Sequence, residues 1–318
     1  MMMKPIIVLS ILSIFMFGIS HEHEKSEDFL VLKGPYLGQK PPGMIPEIFA
    51  PRILNTEKTG AFCTVFSPDG NEFYFVYYKR AKDTPGGLAY MKKINNIWTK
   101  PKMLHFNSPT YDNDMCISAD GKKLIFRSWR ALPDGKKPKD HSYLWIVARS
   151  KHDWKEAEPL LCGGEPVRTG YPSISQKGTI YFAHRRNNRL GIFCSRQVNN
   201  EYMTPEFVYT VFNQDFIHGD MFIDPDESYM IVSGRDPKGK IGYGLLDLYI
   251  VFRKSDGTWI RAINMGKSIN TKSGENCPQV SPDGKYFFFN RYNPDIKRGN
   301  MYWVDASIID DLKPNGLK

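Results

Sequence analysis

Four acids and one histidine in this chain are the right types for hydrolytic or lyase chemistry. They are Asp112 and Asp114 in Asp112-Asn-Asp114, His218 and Asp220 in His218-Gly-Asp220, and Glu275 in Gly274-Glu-Asn276. Two carboxylates across a pocket can cleave a glycosidic bond, one raised in pKa as acid and the other ionised. His218 can serve as a general base or a metal ligand. A second set is cationic or aromatic: Arg130, Arg185, Arg235 and Arg291, with Trp129 beside the first. Guanidinium forks grip carboxylates and phosphates, so these residues would suit an anionic or hydroxyl-rich ligand such as a uronic acid.

Each of these readings has a plainer alternative. Arginines repeated along the chain can simply neutralise acids of the neighbouring repeat. A lone histidine beside Gly and Asp is more often a hydrogen-bonded structural residue. There is no Gly-x-Ser-x-Gly elbow, His-Glu-x-x-His pair or P-loop. The Cys and His residues lack the spacing of a metal site, so no metal ligands are assigned; a divalent ion is allowed at the acids, and no other cofactor is expected.

The elements that carry these residues are organised by one turn. Ser67-Pro-Asp-Gly70 and Ser281-Pro-Asp-Gly284 are full copies. Ser118-Ala-Asp-Gly121, Ser175-Gln-Lys-Gly178 and Asp224-Pro-Asp-Glu227 are weaker ones. Pro presets φ, Asp tolerates the bridge region, and Gly accepts positive φ, which together give a hairpin with a type I turn and a Gly bulge. Each copy lies between short runs rich in β-branched and aromatic residues, such as Phe73-Tyr-Phe-Val76 and Tyr286-Phe-Phe-Phe289. The copies recur at intervals of about fifty residues, a period that indicates a propeller.

Four strands per repeat predict an all-β, five-bladed β-propeller of four-stranded antiparallel blades. The last repeat stops after Asn300-Met-Tyr-Trp-Val304, and Asp305 to Lys318 reads as a short polar tail. Ile48 to Leu54 resembles an outer strand without a blade, so it is expected to complete the last blade and close the ring, with Pro51 tolerated at an outer edge. Antiparallel order puts the Ser-Pro-Asp-Gly turns on one face, read as structural. The variable loops lie on the other, with the acids entering each inner strand and the arginines leaving the second.

The repeated Ser-Pro-Asp-Gly turns followed by aromatic strands resemble the TolB-like, WD-repeat-like β-propeller repeats of bacterial secreted proteins, over about Glu47 to Val304. The resemblance implies the fold. Members include partner-binding propellers and, more distantly, propeller enzymes acting on sugars and peptides, so it does not choose an activity.

The expected segments are a signal peptide over 1–20, an extended Pro-rich stretch over 21–46, the propeller over 47–308 and a tail over 309–318. The basic start Met1-Met-Met-Lys4, the apolar run Pro5–Ile19 and the polar exit support export to the periplasm or the extracellular space, with no membrane span after the signal is removed; an uncleaved anchor is the alternative. The net charge of +9 favours anionic partners without naming one. No basic run interleaves with aromatics, which argues against nucleic acid. Of the five cysteines, Cys63 and Cys277 share one repeat position on strands that neighbour each other if the ring closes. They can form a disulfide, but buried thiols are the preferred reading. The favoured function is a binding or scaffold module for a protein or an anionic or carbohydrate ligand. A glycoside hydrolase or uronate lyase at the axial mouth is the alternative.

Overall fold

The computed structural model describes residues 30–318 apart from 57–58, 80–85, 139–140, 152, 169, 187–188, 211–216, 237, 240, 296–297 and 318. Side chains are also not described at 79, 185–186, 189–190, 217–218 and 298. The chain divides into Met1–Leu30 and Val31–Lys318, and the fold described here is that of the second unit. The signal-like segment 1–20 lies outside the described residues.

The chain folds as a β-propeller of antiparallel, four-stranded blades. Five sheets start from inner strands Thr59–Phe66, Asp112–Ile117, Gly170–Ile174, Ile217–Ile223 and Gly274–Val280, here sheets I to V. These inner strands neighbour one another in a closed circuit, the last lying beside the first. A sixth sheet, which the sequence did not lead us to expect, is built from the two-residue strands Leu161–Cys162, Glu165–Pro166, Gln197–Val198 and Glu201–Tyr202. It joins the outer ends of sheets II and III and contains one parallel pair, Cys162 with Tyr202.

The repeated turn owes its sequence to a small hydrogen-bond network. Ser67 Oγ donates to Asp69 at 2.5 Å and accepts the Glu72 N–H at 2.8 Å, while the Gly70 N–H closes the turn on the Ser67 carbonyl at 2.8 Å. Ser118 with Asp120 and Ser281 with Asp283 repeat this. The fourth residue sits at positive φ, from 65° at Gly70 to 82° at Gly178, which explains the glycine. Glu227 takes that place in sheet IV at φ 66°, a left-handed conformation that costs an ordinary residue about 1–2 kcal/mol.

The ring is closed as the strand count requires. Glu47 and Ile48 pair antiparallel with Trp303 and Tyr302, and the Phe49 N–H reaches the Met301 carbonyl at 2.7 Å. Phe49 is fully buried among the rings of Phe66, Phe73, Phe288 and Trp303. The closing strand is shorter than expected. Ala50 and Arg52 adopt positive φ and turn the chain away, so Pro51 lies beyond the closing strand, in an isolated bridge to Asn55. The last residues also depart from the polar tail that was expected: Ser307–Asp311 is a helical turn that buries Ile308 and Ile309 against sheets IV and V.

Cys63 and Cys277 form a disulfide, contrary to the preferred reading of two buried thiols. It ties the inner strands of sheets I and V together, 214 residues apart in sequence, which in the chain-entropy account stabilises the ring by about 5 kcal/mol. Cys116, Cys162 and Cys194 are free and buried.

Candidate functional site

Every inner strand carries a bulge at one repeat position. The register shifts at Cys63, Asp114, Tyr171, Asp220 and Cys277, each four residues before the turn residue that opens its hairpin. Cys63, Asp114, Tyr171 and Cys277 have φ between 46° and 61°. A bulge adds one residue to a strand and re-aims a side chain out of the two-residue alternation. The five side chains therefore meet at the propeller axis, where they line a cavity with about 20 Å³ of room for a water-sized occupant.

The electrostatics of this ring are unbalanced. Asp114 and Asp220 are both buried. Asp114 accepts from Arg127 Nη1 at 3.1 Å, and Arg127 lies against the rings of Trp129, at 4.1 Å, and Tyr171, at 5.0 Å. Asp220 accepts the Cys277 N–H at 2.6 Å. Burial pushes the Asp114 carboxyl up against the pull of Arg127. Burial and then the charge of Asp114 push Asp220 well above the usual carboxylate range. The Tyr171 hydroxyl is raised by Asp220 and by burial.

Asp112 and Glu275 are each held by an arginine and a hydroxyl residue. Asp112 is fully buried and accepts from the Ser108 N–H and hydroxyl and from Arg130 at 2.9 Å. Glu275 is held the same way by the Thr271 N–H, the Thr271 hydroxyl and Arg291, also at 2.9 Å. Arg130 also donates to the Phe106 carbonyl, and Arg291 to the Ile269 carbonyl. These arginines pair with acids of their own sheet, not of the next one as expected, because the first and second strands of a sheet are the closer neighbours. The cross-sheet pair lies on the turn face instead, between Glu72 and Arg149. Arg235 is exposed, with no ion pair among the described residues. The side chains of Arg185 and His218 lie outside the described residues. Trp129 is half-buried and packs on Arg127 and Tyr111, so it positions other side chains.

A larger concavity opens on the loop face. It has a volume of about 580 Å³, lies between sheets I and V, and reaches Tyr111 of sheet II. Its walls are Phe62, Tyr78, Tyr111 and Tyr292, with the amides of Asn276 and Asn290 among them, and among the described residues no charged side chain lines it. Two glycines make the room. A methyl group at Gly60 would run into the Tyr78 ring, and one at Gly299 would lie 2.6 Å from Asn290 Oδ1. Asn290 donates to Asn276 Oδ1 at 2.7 Å, while its own buried Oδ1 has no partner among the described residues. The sequence placed Gly274-Glu-Asn276 and Arg291 on this face and singled out neither Tyr78 nor Tyr111. The turn face has its own groove of about 550 Å³, with Lys92, Lys93, Lys122 and Lys151 around the Glu72–Arg149 pair.

Comparison with solved structures places this geometry. The putative TolB from Agrobacterium tumefaciens superposes with a TM-score of 0.50 at 14% identity, over 84% of this chain and 86% of that one. The fold is that of a TolB-type β-propeller. Lower similarity links the chain to a puromycin-hydrolyzing peptidase from Mycobacterium tuberculosis, with 12% identity and a TM-score of 0.46 over 79% of this chain and 37% of that one. A gluconolactonase from Xanthomonas campestris gives 12% identity and a TM-score of 0.41 over 86% and 98%. No family model and no curated protein sequence matches the chain. Among the described residues no helix is long and apolar enough to cross a membrane.

Proposed function

We propose that this chain is an exported, five-bladed propeller with a small accessory sheet at its rim, and that it works as a binding module. Its ligand site is the loop-face cleft between sheets I and V, and its occupant is an uncharged segment of a protein partner. The observation that carries this reading is the cleft itself, four aromatic rings around two amides, with no charged side chain among the described residues that line it. Tyrosine rings give large contact area at low entropic cost, and amides fix the register of a bound backbone. The TolB-type fold is compatible with a protein partner, though at this similarity it speaks for the fold alone.

An anionic ligand has less support, because Arg130 and Arg291 are occupied by buried acids. The hydrolase or lyase reading has less support too. Asp112, Asp114 and Glu275 each have an arginine partner, and the axial cavity is too small for a sugar ring. Neutral oligosaccharide is the second reading, since the same rings and amides can stack on and hydrogen-bond to a sugar.

The test is a thermal-shift screen of the folded chain against uncharged peptides, neutral oligosaccharides and acidic oligosaccharides. A ligand bound only by the folded state raises the melting temperature by mass action. A peptide shift lost in Tyr292→Ala supports the proposal. A shift confined to neutral sugars moves the assignment to the second reading. A shift from acidic sugars that survives Tyr292→Ala overturns both.

A further inference from the structure

The axial ring holds more chemistry than a disulfide needs. The Sγ atoms of Cys63 and Cys277 and a carboxylate oxygen of Asp114 all lie within 4.8 Å of one another. Asp114 Oδ1 sits 3.2 Å from Cys63 Sγ. A disulfide sulfur has no proton to donate, so the bonded form gives this buried oxygen nothing in return for its lost water. Two thiolates and a carboxylate are, by contrast, a donor set for zinc, which takes Cys and Asp ligands in tetrahedral sites. Asp220 stands behind the set and holds the Cys277 N–H at 2.6 Å, the kind of outer contact that fixes a ligand strand. The cavity among these groups has about 20 Å³ of room, enough for one water-sized occupant.

We propose that the Cys63–Cys277 disulfide and a zinc dithiolate are alternative states of one axial site. In the first step a small dithiol attacks the disulfide and is itself oxidised to its cyclic disulfide, leaving two thiols at 63 and 277. In the second, Zn²⁺ displaces the two thiol protons to solvent and binds both sulfurs and the Asp114 carboxylate, with water in the fourth position. The three ligands form no short metal-binding motif in sequence, because they come from sheets I, II and V. No oxidant, reductant or ligand beyond the dithiol and Zn²⁺ is required.

The experiment uses the purified full chain, oxidised or reduced with a phosphine and desalted, then incubated with Zn²⁺ and gel-filtered. Alkylation and mass measurement report the thiols at 63 and 277. The expected result is one retained Zn²⁺ per reduced chain and none per oxidised chain. Co²⁺ should give a sulfur-to-metal charge-transfer band only after reduction. Cys63→Ser and Cys277→Ser should each abolish the band, and Asp114→Asn should weaken retention about ten-fold or more. The proposal is overturned if reduced chain with free thiols at 63 and 277 retains no zinc, or if the Cys63→Ser/Cys277→Ser chain retains as much as the parent. Should reduction alone unfold the chain, Zn²⁺ is expected to restore its circular dichroism, since metal binding then supplies folding energy; failure to restore it also overturns the proposal.

Discussion

Arg149 clasps both carboxylate oxygens of Glu72 at 2.6 Å each, joining the end of the third strand of sheet II to the hairpin of sheet I. Tyr74 and Lys92 complete the cluster. Burial works to raise the Glu72 carboxyl, but Arg149, Tyr74 and Lys92 together hold it below the usual glutamate range. Its folded pKa is thus depressed, so the stabilisation is present above the unfolded value and lost as pH falls through the folded one. Arg149→Met should cost about 2 kcal/mol at pH 7, less than a fully buried pair because the guanidinium is a quarter exposed. Thermal melts should show a drop of about 5 °C that narrows toward pH 3.

Gly60 and Tyr78 face each other across the first two strands of sheet I. Gly60→Ala should therefore tilt the Tyr78 ring and mimic Tyr78→Ala in ligand binding. Both variants are expected to weaken the thermal-shift ligand about ten-fold or more, at a stability cost on the order of 1 kcal/mol. A Gly60→Ala chain with parental affinity would mean that Tyr78 does not shape the cleft floor.

Phe49 is the keystone of ring closure. Phe49→Ala removes a fully buried ring from between sheets I and V and should cost about 4 kcal/mol. Denaturant titration should show a lower midpoint. If the cost were under about 1 kcal/mol, the closing strand would contribute little to the ring.

Asp224 replaces the serine of the other turns and faces Asp226. Burial, and then Asp226, push its carboxyl up to about 7. Its folded pKa is raised, so its contribution to stability is full below the unfolded value near 4 and is lost as pH rises through about 7. Asp224→Ser restores the usual turn and should match the parent near pH 5. It should gain on the order of 1 kcal/mol at pH 8, a figure discounted for the partial exposure of the group. Melting curves at the two pH values check this.

Much of the architecture was legible because the turn has a local cause. Ser67 and Asp69 form their bond within one hairpin, so the residues that make it are adjacent in sequence. The missing outer strand could be inferred by counting, and Glu47 and Ile48 fill it. The site was less legible. Asp112 and Asp114 look alike in sequence, yet one is buried beside Arg130 and the other reaches the axis. The difference is the bulge, which adds a residue and reverses the facing of the rest of the strand. Equal spacing from the turn marked Cys63 and Cys277, and the same spacing would have found Asp114, Tyr171 and Asp220. The cleft had no such mark, since Tyr78, Tyr111 and Tyr292 come from three sheets and are typical strand residues.

Ring closure also sets a schedule for folding. The closing strand is made among the first of the described residues and its partner, Arg298–Asp305, among the last. The aromatic nest around Phe49 draws Phe66 and Phe73 from the first sheet and Phe288 and Trp303 from the last, so it cannot assemble on a nascent chain. Contacts this distant in sequence form late and slowly. A chain built this way keeps its ring open until the strand that carries Trp303 has been made.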